Sequence, residues 1–239
     1  MGFKQRGYIR DIPNELVRDY KLIAIACEGS DREPDYFNVF KYLSKKIKVD
    51  IIEDHLNSEN EGNKKSTKSS PKWVLDKAIS YISNNNLLEE DELWFVIDVD
   101  RWSEEQIREL AQFCDDHVNW NLVISNPCFE VWLFFHKSAK INESKSSTCQ
   151  EFKYEISQFD KAGYDNLTYI GSILTAVENA KLNDSDINHY FPKIKESKVY
   201  LLVESIIKSC TKLEFERFIN KTIPSLIERR KQKLKRKRR

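Results

Sequence analysis

Three carboxylates stand directly behind short apolar runs. Glu28 follows residues 20–27 (YKLIAIAC), while Asp98 and Asp100 close the run 93–97 (LWFVI). Both runs read as strands buried on both faces, and in an open parallel sheet ligands collect outside the carboxyl ends of the strands. If the backbone stays extended, the two-residue spacing points Asp98 and Asp100 to the same side. Three hard oxygen donors at one crevice suit Mg2+, which takes carboxylate and water oxygens and completes its octahedron with substrate phosphate. Phosphodiester chemistry is therefore the leading inference. Taken singly, a Glu-Gly after a strand serves a turn, and an Asp-x-Asp before a helix serves loop hydrogen bonding. Together such acids repel one another unless a cation lies among them.

Further polar residues sit close to these ends in the chain. Asn126, before Pro127, reads as the cap of a helix over residues 128–136. Glu130 lies one position beyond capping-box geometry, and an acid among Phe129, Val131, Trp132 and Leu133 needs a role, such as facing the metal crevice. His136 shares the stripe of Phe129, Trp132 and Leu133; it reads first as a satisfied core histidine, with proton transfer or substrate contact as the alternative. Arg101 offers a phosphate contact. Trp102 anchors a loop or stacks on an unpaired base. Cys114 and His117 have a ligand-like spacing but lie inside an amphipathic helix with no second pair, so zinc is not expected. No Gly-rich phosphate loop followed by Lys and Ser or Thr occurs in the chain, so ATP binding of that kind is not expected either.

The elements that must hold these residues alternate. A helix is expected from Pro34 through about Lys48 on the stripe Phe37, Phe40, Leu43 and Ile47, then a strand over 49–52 and a polar loop over 55–70. Ser70 and Pro71 start a helix bearing Val74, Ala78, Tyr81 and Ile82. Ser103 with Gln106 forms a capping box for a helix to about His117, and 122–124 is a further strand. Such alternation predicts an α/β fold, a mostly parallel sheet flanked by helices, over residues 1–137. A linker at 138–150 precedes a helical extension over 151–239, with helices at 168–181, 195–209 and 214–230.

The stretch from Cys27 to Phe37 (CEGSDREPDYF), followed by Ile97 to Asp100 (IDVD) and then Ser125 to Leu133 (SNPCFEVWL), resembles the RloB-like family, a branch of the Toprim superfamily. The resemblance spans residues 21–136. It implies a compact Toprim-like core with a Glu at the end of the first strand and an Asp-x-Asp at the end of the third. It also implies a metal-dependent nuclease of bacterial antiphage defence and abortive infection, encoded beside an AAA/ABC-type ATPase partner. By position, Glu28 would be the general acid or base and a ligand, and Asp98 and Asp100 would hold Mg2+, with Mn2+ as the alternative. Glu33 would bind a second cation, unless it is only a first-turn acid favoured by the helix dipole. Glu130 joins the catalytic set, and Arg101, Asn126 and His136 the substrate contacts. Arg101 and Trp102 depart from the family, where a polar or His-containing loop is expected.

Composition sets the remaining bounds. The 239 residues are 40% hydrophobic and 32% charged, with five scattered cysteines and no apolar run of membrane-spanning length, so a reduced, cytoplasmic, soluble protein with no membrane partner is expected. Residues 229–239 hold nine Lys or Arg; removing those nine from the net charge of +1 leaves residues 1–228 at −8. The basic tail is either a phosphate contact or the solvated end of the last helix, and Lys64, Lys65, Lys68 and Lys72 invite the same two readings. The partners expected are a nucleic acid, RNA (tRNA included) or DNA, and the ATPase; a homo-oligomer is compatible. The rival is a noncatalytic module whose acidic crevice holds a structural cation while the helical extension and tail recruit the partner.

Overall fold

The computed structural model describes residues 18–52, 71–85, 87–100, 102–161 and 163–237. Five strands make one sheet: β1 (Lys21–Cys27), β2 (Ile47–Ile51), β3 (Glu92–Asp98), β4 (Trp120–Asn126) and β5 (Glu196–Ser197), in the order β2-β1-β3-β4-β5. The first four are parallel and β5 runs antiparallel to β4. The chain leaves β1 for the edge strand β2, then passes back across β1 to reach β3. The winding thus reverses between β1 and β3, which opens a crevice at their carboxyl ends. The α/β class read from the alternating pattern is the one observed.

Side chains of the central strands alternate between two apolar layers, as a doubly covered sheet requires. On one face Leu22, Ala24, Ala26, Phe95 and Ile97 meet α2 (Pro71–Asn84) and α3 (Glu104–Asp115). The other face, with Ile23, Ile25, Cys27, Trp94 and Val96, takes α1 (Arg32–Phe37), α4 (Glu130–Phe135), α5 (Cys149–Phe159), α6 (Asn166–Gly171), α7 (Ile173–Asn183) and α8 (Val199–Lys208). Beyond these, α9 (Lys212–Arg217) runs through a π-helical turn, Phe218–Thr222, into α10 (Ile223–Lys237). One continuous core includes both Ile23 and Ile223. Among the described residues no helix is long and apolar enough to cross a membrane.

Several boundaries differ from expectation for physical reasons. The helix expected to about Lys48 is α1 plus a 3-10 turn, Asn38–Tyr42, because Ile47 already pairs with Lys21 in β2; its apolar residue fitted a helical stripe and a strand equally. Residues 168–181 form two helices meeting at Ser172, and the helix expected from 195 starts at Val199, because Glu196 and Ser197 pair with Asn126 and Ser125. The Ser103–Gln106 capping box forms as read, and two more, Thr148 with Glu151 and Thr211 with Glu214, open α5 and α9. The polar loop at 55–70 lies outside the described residues.

The return to β5 is fixed by a buried ion pair. Lys198 Nζ donates to both Asp184 carboxylate oxygens at 2.6 Å and to Asp186 O at 2.6 Å, and Tyr200 OH donates to Asp184 Oδ2 at 2.5 Å. The two charged side chains are only 2% and 4% exposed. Breaking such a pair from one side leaves an uncompensated ammonium in a dry site. Asp184→Ala should therefore lower stability by about 3–5 kcal/mol in urea unfolding; a cost below about 1 kcal/mol would show that the pair contributes little.

Candidate functional site

Glu28, the first residue past β1, keeps the strand register: its N–H donates to Val96 O at 3.0 Å. Its carboxylate is held by two donors, the Asp98 N–H on Oε2 at 3.1 Å and the Trp102 indole on Oε1 at 2.8 Å. Trp102 in turn packs against the α2/α3 layer, so it anchors the loop and fixes Glu28 across the β1–β3 crevice. Asp98 ends β3 and, by strand alternation, faces the same side as Trp94 and Val96, the side covered by α1 and α4. Helix α1 supplies Glu33, 8% exposed, and α4 supplies Glu130, 3% exposed and ion-paired with Arg32.

Gly29 makes the approach of Glu33 geometrically feasible. A Cβ at position 29 would fall 2.1 Å from Glu33 Oε2 and 2.5 Å from its Cδ. The Glu33 carboxylate therefore occupies the space a larger residue would need.

The acids perturb one another. Burial, then Glu33, Glu28 and Glu130, push the Asp98 carboxyl well above its usual range. Burial likewise raises Glu33 to about 7; a hydrogen bond from its own backbone opposes this, and the charges of Glu130 and Glu28 add to it. Burial works against the Lys153 ammonium of α5, yet Glu130 and Asp98 are among the charges that hold its pKa above the ordinary value. Glu28, Glu33, Asp98 and Glu130 thus share one negative potential.

The other residues singled out from the sequence lie elsewhere. Asp100 is exposed in the turn after β3, its N–H donating to Pro127 O at 2.9 Å, one residue past Val99, whose N–H donates to Ser125 O at 3.0 Å. Asn126 does not cap α4. It is the last residue of β4, its Nδ2 donates to Pro192 O at 2.9 Å, and the N-cap position is Phe129. His136 is buried, with Nε2 3.1 Å from Tyr36 OH and Nδ1 3.2 Å from Ser172 Oγ, and burial lowers its pKa to about 3. It is a neutral core histidine. Arg101 lies outside the described residues.

Sequence reasoning missed three cations near the crevice. Arg32 pairs with Glu130, and Lys153 faces the acids from a helix remote in sequence. Lys77 is 8% exposed and donates to Cys27 O at 3.1 Å, at the end of β1. Lys77 had a legible signal: it falls on the apolar stripe of α2 beside Val74, Ala78 and Tyr81, where an unpartnered lysine is disfavoured.

The donor types here, all carboxylate, suit a hard divalent cation, and the raised acids show where positive charge is needed. Among the described residues, however, no group of three or more His, Cys, Asp and Glu side chains is arranged to hold a metal ion as it stands. Glu28 is engaged by Trp102 and the Asp98 N–H, and Glu130 by Arg32. Asp98, Glu28 and Glu33 are of the donor type a hard divalent cation takes, and holding one would require those hydrogen bonds to be exchanged.

The sheet order and its acidic switch-point crevice define an α/β protein of the kind expected for a Toprim-like core. Residues 23–206 match the family described as RloB-like protein, and the chain belongs to that family. No curated protein and no solved structure shows significant similarity to it.

The Glu33 shift has a defined consequence for stability. A carboxyl whose pKa is raised on folding binds more protons in the folded than in the unfolded state, so its stabilisation is complete below about pH 4.5 and is lost as pH rises through about 7. In EDTA, the stability of Glu33→Gln relative to the unmodified chain should grow between pH 4.5 and 8 by up to about 3 kcal/mol. Urea melts across that range check this; a difference that does not vary with pH would contradict it.

Proposed function

We propose that the chain is a Mg2+-dependent, Toprim-like nuclease that cleaves phosphodiester bonds of RNA, tRNA included, or of DNA. In this reading it acts in bacterial antiphage defence under control of an AAA/ABC-type ATPase partner, and Mn2+ can replace Mg2+. The observation that carries the proposal is the gathering of Glu28, Glu33, Asp98 and Glu130 at the topological switch point, where burial first and then the other three charges raise Asp98. Membership of the RloB-like family supports it. A freely active nuclease would harm its host, hence the regulating partner.

Asp98, Glu28 and Glu33 would hold the ion, with Asp100 joining from the exposed turn. When bound, it would supply Lewis-acid polarisation of the scissile phosphate. Glu28 takes the general acid–base role, its carboxylate kept at the crevice, until an ion is held, by the Trp102 indole and the Asp98 N–H. Glu33, raised by burial to about 7, would release its proton to solvent on holding the ion. Glu130 keeps Arg32 at the crevice, and the Arg32 side chain, 37% exposed, is available to a phosphate oxygen.

The test incubates the chain with total RNA, plasmid or single-stranded DNA in Mg2+, Mn2+ or EDTA. Cleavage is expected only with metal and is expected to vanish in Asp98→Ala; unchanged cleavage in that variant would overturn the assignment. Absence of cleavage with any metal, even with the ATPase present, would favour the noncatalytic module. Gly29→Ala adds a sharper case. The added methyl displaces only the far end of Glu33, so melting should move little while cleavage falls at least tenfold; full activity would remove Glu33 from the site.

A further inference from the structure

A groove of about 660 Å3 lies on the far side of α1 from the acidic crevice, between the 3-10 turn at Asn38–Tyr42, α6 and α10. Its walls carry Lys41, Arg229, Arg230, Lys233 and Arg236, with Tyr42 at the rim. Asp35 is the acid in its lining. The groove is built rather than incidental. Ile223 is buried, Leu226 and Ile227 pack against the core, and Arg230 Nη1 donates to Asp165 Oδ1 at 2.7 Å and Asn166 Oδ1 at 3.2 Å. Those contacts fix the amino-terminal half of α10, so Arg229, Lys233 and Arg236, at i, i+4 and i+7, line one side of the helix and enter the groove together.

The geometry points to this groove as the binding track for the sugar–phosphate backbone of a single-stranded nucleic acid on its way to the acidic crevice. Residues 1–228 carry a net −8, so a polyanion is repelled from most of the chain and attracted where the cations of α10 gather. Tyr42, 47% exposed with Lys41 Nζ 5.3 Å from its ring centroid, offers a stacking face for a base at the rim. Helix α1 joins the two places: Glu33 faces the crevice and Asp35 the groove, while Tyr164, 5.8 Å beneath the Arg32 guanidinium, feels the charges of Asp35, Glu33 and Arg32. This inference deepens the nuclease reading and rests on it for its purpose, but its test reads binding alone.

The test measures fluorescence anisotropy of a labelled oligonucleotide of about 15 nucleotides, RNA and DNA in turn, with the full chain in EDTA over a range of salt. Replacing Arg229, Lys233 and Arg236 together by Glu should weaken binding at least tenfold and reduce the slope of log affinity against log salt by about 2, as for three lost phosphate contacts. Replacing Lys140, Lys145 and Lys193, which lie outside the groove, by Glu should leave both unchanged. Tyr42→Ala should cost about fivefold or more with the slope preserved. Equal losses in the two triple variants, undiminished binding by the groove variant, or attachment to anionic vesicles but not to oligonucleotide would overturn the inference. The two readings separate cleanly: groove-dependent binding without cleavage in Mg2+ or Mn2+, the ATPase present, sinks the nuclease alone, and cleavage with groove-independent binding sinks the track alone.

Discussion

Like charges in a partly desolvated crevice are costly: two of them 4 Å apart at an effective dielectric near 20 repel by about 4 kcal/mol. The fold nevertheless brings Glu28, Glu33, Asp98 and Glu130 under one potential at the carboxyl edge of its sheet. Much of the local structure answers that repulsion. Asp98 and Glu33 are pushed toward their neutral forms, Arg32 pairs with Glu130, and Lys153 stands by. A backbone N–H and an indole are among the groups that orient Glu28. Protons and hydrogen bonds of this kind are exchangeable, and a divalent cation is the natural replacement in an all-carboxylate setting.

The rest of the chain serves that edge. Parallel strands β1 and β3 place the ends that carry Glu28 and Asp98 side by side, with Cys27 opposite Val96. Helices α1 and α4 bring Glu33 and Glu130 over the same face, and α5 adds Lys153. The buried Lys198–Asp184 pair closes the segment between α7 and α8 on itself, and the Asn126–Pro192 hydrogen bond with the β4–β5 pairing ties that segment to β4. Helix α10 then carries its cations past the other side of α1.

The sequence was most legible where apolar runs and acids met. Residues 20–27 and 93–97 read as buried strands because nearly every side chain in them must leave water, and Glu28 and Asp98 stood out as the first charges after them. Glu130 stood out because capping could not explain it. Asp100 lies past the end of β3, so strand alternation alone could not say how it stands to Asp98, whereas Asn126 misled because Asn-Pro before an apolar run imitates a cap while its amide is committed to Pro192. Arg32, Lys153 and β5 depend on contacts between residues far apart in the chain, which local spacing does not encode. The broken helix at 32–42 reflects a periodicity that a strand residue, Ile47, happened to continue.

The central claim is that this acidic edge is a cation site organised around Asp98. Its most direct measurement is thermal melting at neutral pH in rising Mg2+, comparing the unmodified chain with Asp98→Asn. A site formed in the folded state alone raises the melting temperature in a saturable way. The unmodified chain is expected to gain stability with Mg2+, whereas Asp98→Asn, free of the cost of holding a buried carboxyl among acids, should melt higher in EDTA and gain little from the metal. No Mg2+ effect on the unmodified chain, or an equal gain in both proteins, would contradict it.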